Sequence, residues 1–166
     1  MFRFLEQRLD ACFALEDKTL RTIIHRSCGI KARVVSLDER EVSGLRLHLN
    51  FGHTLGHALE AATGYERWTH GEAIAIGMCA AARLAVDMKL LSEAARMRIE
   101  KLIEAAGLPT IATGVSRRSV IKALRYDKKF VSGRPRWVLP VRIGKVIVTE
   151  DVTETLFRSV LEAYVR

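Results

Sequence analysis

Two histidines spaced one helical turn apart are the residues of this sequence best suited to chemistry. His53 and His57 are four positions apart within residues 50–60, so on a helix they lie on the same face. Imidazoles at this spacing can share one metal ion, or one can hold the metal while the other transfers protons. Such a pair can also be a hydrogen-bonded, half-buried feature without a ligand, and the spacing leaves these interpretations open.

A third histidine and two carboxylates lie near this pair in the sequence. His70 is at a predicted loop-to-helix junction, and Glu60 and Glu72 are the nearby carboxylates. Because Zn²⁺ prefers nitrogen and carboxylate ligands, His70 can complete a histidine-rich zinc site. The residue after His53 is Thr54 rather than glutamate, which excludes the zinc-protease motif.

Basic and polar residues elsewhere in the chain offer candidate contacts for an anion. The first group consists of Lys31, Arg46 and Asn50. The lysine ammonium is a point charge, the arginine guanidinium is a planar donor, and the asparagine amide can also donate, so all three suit phosphate or carboxylate groups. Lys128 and Lys129 form a second basic segment. A solvated basic face and an ordinary charged turn are the alternatives, and the sequence alone favours them.

The composition is that of a basic globular protein of one domain. The chain has 166 residues, of which 49% are hydrophobic and 28% charged, and its net charge is +8. No apolar run reaches the ~18 residues of a membrane span, and no secretory signal is apparent, so we predict a cytoplasmic protein. The charge suits an anionic partner or an acidic neighbouring domain. Because aromatic residues amount to only 7% and the basic residues are dispersed, nucleic-acid binding is disfavoured.

The hydrophobic pattern predicts helices along most of the chain. The predicted helices cover residues 3–28, 49–63, 72–88, 92–106, 116–124 and 153–166. Residues 30–46 can be helix or strand, and strands at 136–140 and 145–149 flank a turn at Gly144. The predicted fold is mainly α, a single helical domain over residues 1–166 with one small β-hairpin near the C-terminus. It contains no glycine-rich loop of a dinucleotide-binding fold.

Small residues mark the places where backbones can approach each other closely. Gly52 and Gly56 lie beside the paired histidines, lower helix stability, and leave room for a ligand or another backbone. The helix over 72–88 is rich in alanine, so we expect it to be central. The three cysteines, an odd number without a CxxC pair, predict free buried thiols.

Several segments together resemble the 3-dehydroquinate synthase family. Their order and spacing match across nearly the whole chain, which is far more specific than two histidines four positions apart. The segments are IKARVVS at 30–36, DE at 38–39, GLR at 44–46, LNFGHTLGHALE at 49–60, HGEA at 70–73, IGM at 76–78, GLP at 107–109, DKK at 127–129, VLP at 138–140 and IG at 143–144.

The resemblance implies a two-domain enzyme of which this chain is the helical C-terminal half. In that family an N-terminal domain binds NAD, and the helical domain holds Zn²⁺ or Co²⁺ and much of the substrate site. The family converts 3-deoxy-arabino-heptulosonate 7-phosphate, a phosphorylated sugar acid, into 3-dehydroquinate and phosphate. This reaction belongs to the shikimate pathway, which leads to chorismate and the aromatic amino acids. The resemblance also implies a homodimer.

Individual residues take roles from the same resemblance. His53 and His70 match two metal ligands, and His57 matches a histidine that assists proton transfer. The substrate-binding positions are matched by Lys31, Arg46, Asn50 and one of the pair Lys128 and Lys129. No residue here matches a position that binds the NAD cofactor.

Two parts of the family pattern have no counterpart in this sequence. One is the NAD domain, and the other is the segment that carries a glutamate metal ligand and an active-site lysine. We therefore expect weak metal binding, no turnover by this chain alone, and a partner domain or separate chain that binds NAD. The alternatives are a non-catalytic assembly or binding module, a related sugar-phosphate cyclase and, last, a nucleic-acid module.

Overall fold

The chain folds mainly into α-helices with one two-stranded antiparallel sheet, as predicted. The computed structural model describes residues 1–40, 42–126 and 135–166. The described elements are α1 Phe2–Phe13, α2 Asp17–Leu37, a 3-10 helix Leu45–Asn50, α3 His53–Ala62, α4 His70–Asp87, α5 Glu93–Ala105, α6 Arg117–Tyr126, β1 Trp137–Arg142, β2 Lys145–Thr149 and α7 Glu154–Tyr164. They form two compact units, Met1–Leu49 and Asn50–Arg166. The assignment of the whole chain to one domain stays a prediction.

The first unit contains two helices where the sequence predicts one. The apolar stripe over residues 3–28 is divided between α1 and α2 because the chain turns at 14–16. Leu15 adopts a left-handed backbone there, with a φ of 56°, which the apolar periodicity does not reveal. Helix α2 then continues to Leu37, so the first half of the segment 30–46 is helical.

Helix α4 is the centre of the second unit. Helices α3, α5 and α7 and strand β1 all pack against it. Its buried residues are small or aliphatic: Ala73, Ile74, Ala75, Ile76, Gly77, Cys79, Ala80, Ala81, Ala82, Leu84 and Ala85. The alanine-rich composition therefore predicts its central position correctly, since small side chains let neighbouring elements approach closely. Neither α4 nor any other helix in the described part of the chain is long and apolar enough to cross a membrane.

The helices of the second unit begin at the residues whose side chains cap them. Ser92 and Thr153 each accept a hydrogen bond from the backbone N–H three residues later, at the starts of α5 and α7. Ser116 does the same for Ser119 at the start of α6. Because a capping oxygen satisfies a backbone donor that the helix leaves unpaired, these three side chains fix where their helices begin.

The three cysteines differ in exposure, and we expect their reactivities to differ accordingly. Cys79 is fully buried in α4, and burial raises the pKa of its thiol to about 12, whereas Cys28 is exposed. The prediction of buried thiols is confirmed for Cys79 and wrong for Cys28. Because the thiolate is the reactive form, Ellman's reagent at about pH 8 should modify Cys28 rapidly and Cys79 only after unfolding. Fast modification that persists in Cys28→Ser and maps to Cys79 would contradict this expectation.

Candidate metal centre

Three histidine side chains converge where the first turns of α3 and α4 meet. His53 and His57 project from α3, and His70 is the first residue of α4. Their ring centroids are 5.2, 5.5 and 5.8 Å apart. One nitrogen from each ring lies within 4.8 Å of the others. Since a zinc–imidazole bond is about 2.0–2.1 Å long, these nitrogens are close enough to be candidate ligands of one ion.

The start of α4 is fixed by a reciprocal cap. The Thr69 hydroxyl accepts from the backbone N–H of Glu72, and the Glu72 carboxylate accepts from the backbone N–H of Thr69 at 2.8 Å. This capping box satisfies two unpaired donors, and the bond from the Thr69 backbone lowers the pKa of Glu72. His70 is thereby held at the first helical position. Glu72, one of the two carboxylates near the histidines, is therefore hydrogen-bonded in the helix cap.

Glycines allow the backbones of α3 and α4 to come into contact beside the histidines. Gly52 has a φ of 83°, and a Cβ atom there would lie 2.7 Å from the Ile74 carbonyl oxygen. A Cβ atom on Gly77 would lie 2.0 Å from the Gly52 carbonyl oxygen. The expectation that Gly52 and Gly56 admit another backbone is confirmed, and the backbone is that of α4. This contact places His70 near the histidines of α3.

Hydrogen bonds orient two of the three imidazole rings. The Nδ1 atom of His53 is 3.2 Å from the carbonyl oxygen of Phe51. The Nδ1 atom of His70 is 3.1 and 3.3 Å from the two carboxylate oxygens of Glu60. Because a carbonyl or an ionised carboxylate only accepts hydrogen bonds, each Nδ1 carries a proton, and in the neutral ring the Nε2 lone pair is then left for a metal. This arrangement is typical of histidines that bind a metal, so the donor set fits Zn²⁺ or Co²⁺.

The predicted anion-binding residues are distributed over both units. Lys31 is exposed on α2, and Arg46 is half-buried in the 3-10 helix, where its guanidinium donates to the Glu39 carbonyl oxygen at 3.3 Å. Asn50 is half-buried at the end of that helix, in the second unit. Lys128 and Lys129 lie outside the described residues. The grouping of these side chains around one anion stays a prediction.

The loop before Arg46 is held by a buried carboxylate, Asp38, to which the sequence analysis gave no role of its own. Asp38 accepts hydrogen bonds from the backbone N–H groups of Ser43 and Arg46, at 3.0 and 3.3 Å. These bonds, led by that from Ser43, lower the pKa of Asp38. The backbone position of Arg46 therefore depends on Asp38. An aspartate before a glycine-containing loop is the sequence feature that could have predicted this role, because aspartate side chains often accept hydrogen bonds from turn backbones.

Sequence comparison identifies the family. The family profile described as 3-dehydroquinate synthase C-terminal matches residues 1–130. The chain belongs to the 3-dehydroquinate synthase family. It is 48% identical over 160 residues to the 3-dehydroquinate synthase of Caldanaerobacter subterraneus subsp. tengcongensis, covering 94% of this chain and 45% of that enzyme. It is 46% identical over 164 residues to that of Rippkaea orientalis, covering 97% and 44%. The chain thus spans less than half the length of these 3-dehydroquinate synthases.

Solved structures of other synthases share the fold. The 2-epi-5-epi-valiolone synthase of Streptomyces hygroscopicus subsp. jinggangensis, with NAD⁺ and Zn²⁺ bound, aligns with a TM-score of 0.85 and 24% identity over 98% of this chain and 45% of that one. This likeness shows the fold alone. A 2-deoxy-scyllo-inosose synthase complexed with carbaglucose-6-phosphate, NAD⁺ and Co²⁺ aligns at 0.71 and 27% identity, covering 89% and 42%. The predicted cofactors are those that these structures contain.

Proposed function

We propose that this chain is the metal- and substrate-binding part of a 3-dehydroquinate synthase. The observation that carries the proposal is the convergence of His53, His57 and His70 in a chain of this family. The reaction would be the conversion of 3-deoxy-arabino-heptulosonate 7-phosphate into 3-dehydroquinate and phosphate, in the shikimate pathway and in the cytoplasm. Relatives of that name at 44–48% identity support this substrate over those of other cyclases.

The three histidines divide into two roles in this proposal. His53 and His70 hold the metal through Nε2, since each Nδ1 is bonded to an oxygen acceptor. A Zn²⁺ or Co²⁺ held there would supply a Lewis acid for the substrate hydroxyl to be oxidised. His57, one turn along α3, accepts or returns a proton at the same substrate. The family resemblance supports this division of roles.

The substrate carries a phosphate and a carboxylate, and the chain offers cations to bind them. Lys31, Arg46, Asn50 and one of Lys128 and Lys129 are the proposed contacts. Arg46 presents a planar guanidinium that can bind an oxyanion through two bonds. The net charge of +8 supports an anionic ligand, because a positive field attracts and retains one.

The NAD of the proposed reaction requires a binding site beyond the described residues. Their one sheet has two antiparallel strands, whereas a dinucleotide-binding fold uses a parallel sheet and a glycine-rich turn. We therefore infer that a second domain, in the same polypeptide or in a separate chain, binds NAD and completes the site. A homodimer of the complete enzyme belongs to the same proposal.

A chimaera tests this function directly. This chain would be fused behind the N-terminal half of the Caldanaerobacter relative and assayed for phosphate release from the heptulosonate phosphate. We expect NAD- and metal-dependent turnover from the chimaera and none from the chain alone. The His57→Ala chimaera should lose about 10²- to 10⁴-fold in kcat, because a general acid–base is removed.

The control and the alternatives are part of the same assay. His25→Ala removes an exposed histidine of α2 and should leave turnover unchanged. A folded chimaera that binds NAD and metal without releasing phosphate would contradict the proposal and favour the non-catalytic module. Turnover of another sugar phosphate in preference to the heptulosonate would favour a related cyclase.

A further inference from the structure

A buried carboxylate lies directly behind the exposed histidine of the cluster. Glu60 is in the last turn of α3, seven residues after His53 and three after His57, so it shares their face. Its side chain is 8% exposed, whereas that of His70 is 59% exposed. Both carboxylate oxygens are within hydrogen-bonding distance of the His70 Nδ1 atom, at 3.1 and 3.3 Å.

Because Glu60 is buried, its hydrogen bond with His70 favours one orientation and one tautomer of the imidazole ring. A buried carboxylate without hydrogen bonds is strongly disfavoured, and among the described side chains His70 is the polar partner that the structure gives it. The ring of His70 is otherwise open to solvent on much of its surface. The Glu60 carboxylate therefore favours one orientation of the His70 ring and one neutral tautomer, with the proton on Nδ1 and the lone pair on Nε2.

Glu60 does not belong to the group of candidate ligands themselves. In the part of the chain that the structure describes, the atoms close enough to share one ion come from His53, His57 and His70. The other nearby carboxylate, Glu72, is bound in the cap of α4. Glu60 is therefore placed to act on the metal through His70 rather than on the metal directly.

We propose that Glu60 is a positioning residue that holds His70 with Nε2 directed at the metal. A carboxylate behind a metal-binding imidazole fixes its orientation and increases its basicity, and its loss typically costs 10–100-fold in metal affinity. The proposal rests on the proposed metal-binding function of the histidine cluster. It adds to that function a residue which neither touches substrate nor ligates the ion.

Two substitutions of Glu60 separate the hydrogen bond from the charge. Glu60→Gln keeps an acceptor oxygen of nearly the same shape, and Glu60→Leu fills the volume without an acceptor. The full chain would be titrated with Zn²⁺ in competition with a chromophoric chelator. We expect affinity to fall about 10-fold for the glutamine variant and up to about 100-fold for the leucine variant. Glu66→Gln, which removes a negative charge from the exposed loop between α3 and α4, should bind as the unchanged chain does.

A second readout needs no metal. Nitrogen-15 NMR of the metal-free chain at mildly alkaline pH reports which ring nitrogen of His70 carries the proton. We expect the Nδ1–H tautomer in the unchanged chain and a mixture dominated by Nε2–H, the tautomer preferred in water, in Glu60→Leu. A purely structural role would lower the melting temperature without changing the tautomer or the zinc affinity of the folded variant.

The two readouts also separate this proposal from the function on which it rests. Unchanged zinc affinity in both folded Glu60 variants, or an Nε2–H tautomer in the unchanged chain, would overturn the positioning role. An Nδ1–H tautomer that depends on Glu60, in a chain that fails to bind Zn²⁺, would support the positioning role. That combination would count against metal binding by the isolated chain.

Discussion

Gly77→Ala is expected to abolish or severely weaken folding of the second unit. The added Cβ atom would lie 2.0 Å from the Gly52 carbonyl oxygen, 2.9 Å from its carbon and 3.0 Å from the Gly56 nitrogen. All three are backbone atoms, so no side-chain rotation relieves the clash. Overpacking costs about 1–3 kcal/mol even where side chains can move, and we expect at least about 3 kcal/mol here. Urea unfolding followed by circular dichroism measures the loss.

Another glycine of the same helix supplies the matched control. A Cβ atom on Gly71 meets nothing within 4 Å, so Gly71→Ala introduces no clash and should change the free energy of unfolding by less than about 1 kcal/mol. A Gly77→Ala protein as stable as the unchanged chain would show that α3 and α4 do not make this backbone contact. The structural basis for the histidine cluster would then be lost.

The elements of the second unit could largely be predicted because local chemistry determines them. Ser92 and Thr153 mark the starts of their helices by capping, and two short apolar runs on either side of Gly144 predict β1 and β2. The break at Leu15 could not be predicted, since a leucine with positive φ gives no signal in a periodic apolar stripe.

The sequence predicts only part of the histidine cluster. The spacing of His53 and His57 shows that they share a helical face, but nothing in the spacing states how far His70 lies from them. That distance depends on Gly77, whose role becomes visible only when its contact with Gly52 is known. The bond between Glu60 and His70 also joins two helices, so the sequence identifies Glu60 as a nearby carboxylate without giving its partner.

Zinc affinity should fall steeply when either proposed metal ligand is removed. At neutral pH we expect the unchanged chain to bind one Zn²⁺ with roughly micromolar affinity, about 8 kcal/mol. His53→Ala and His70→Ala should each weaken binding by about 100-fold, or about 3 kcal/mol, since each deletes one nitrogen of the cluster. Competition with a chromophoric chelator measures these affinities, and His25→Ala, an exposed histidine of the first unit, should have no effect.

The zinc affinity of His57→Ala distinguishes two roles for His57, proton transfer beside the metal and direct metal binding. If His57 moves protons while the other two histidines hold the ion, His57→Ala should change zinc affinity only a few-fold, about 1 kcal/mol or less. If all three rings share the ion, as their mutual distances permit, the loss should match that of His53→Ala. A folded chain that binds no Zn²⁺ at all would contradict an autonomous site. Metal binding would then require ligands outside this chain, and the assembly-module interpretation would gain support.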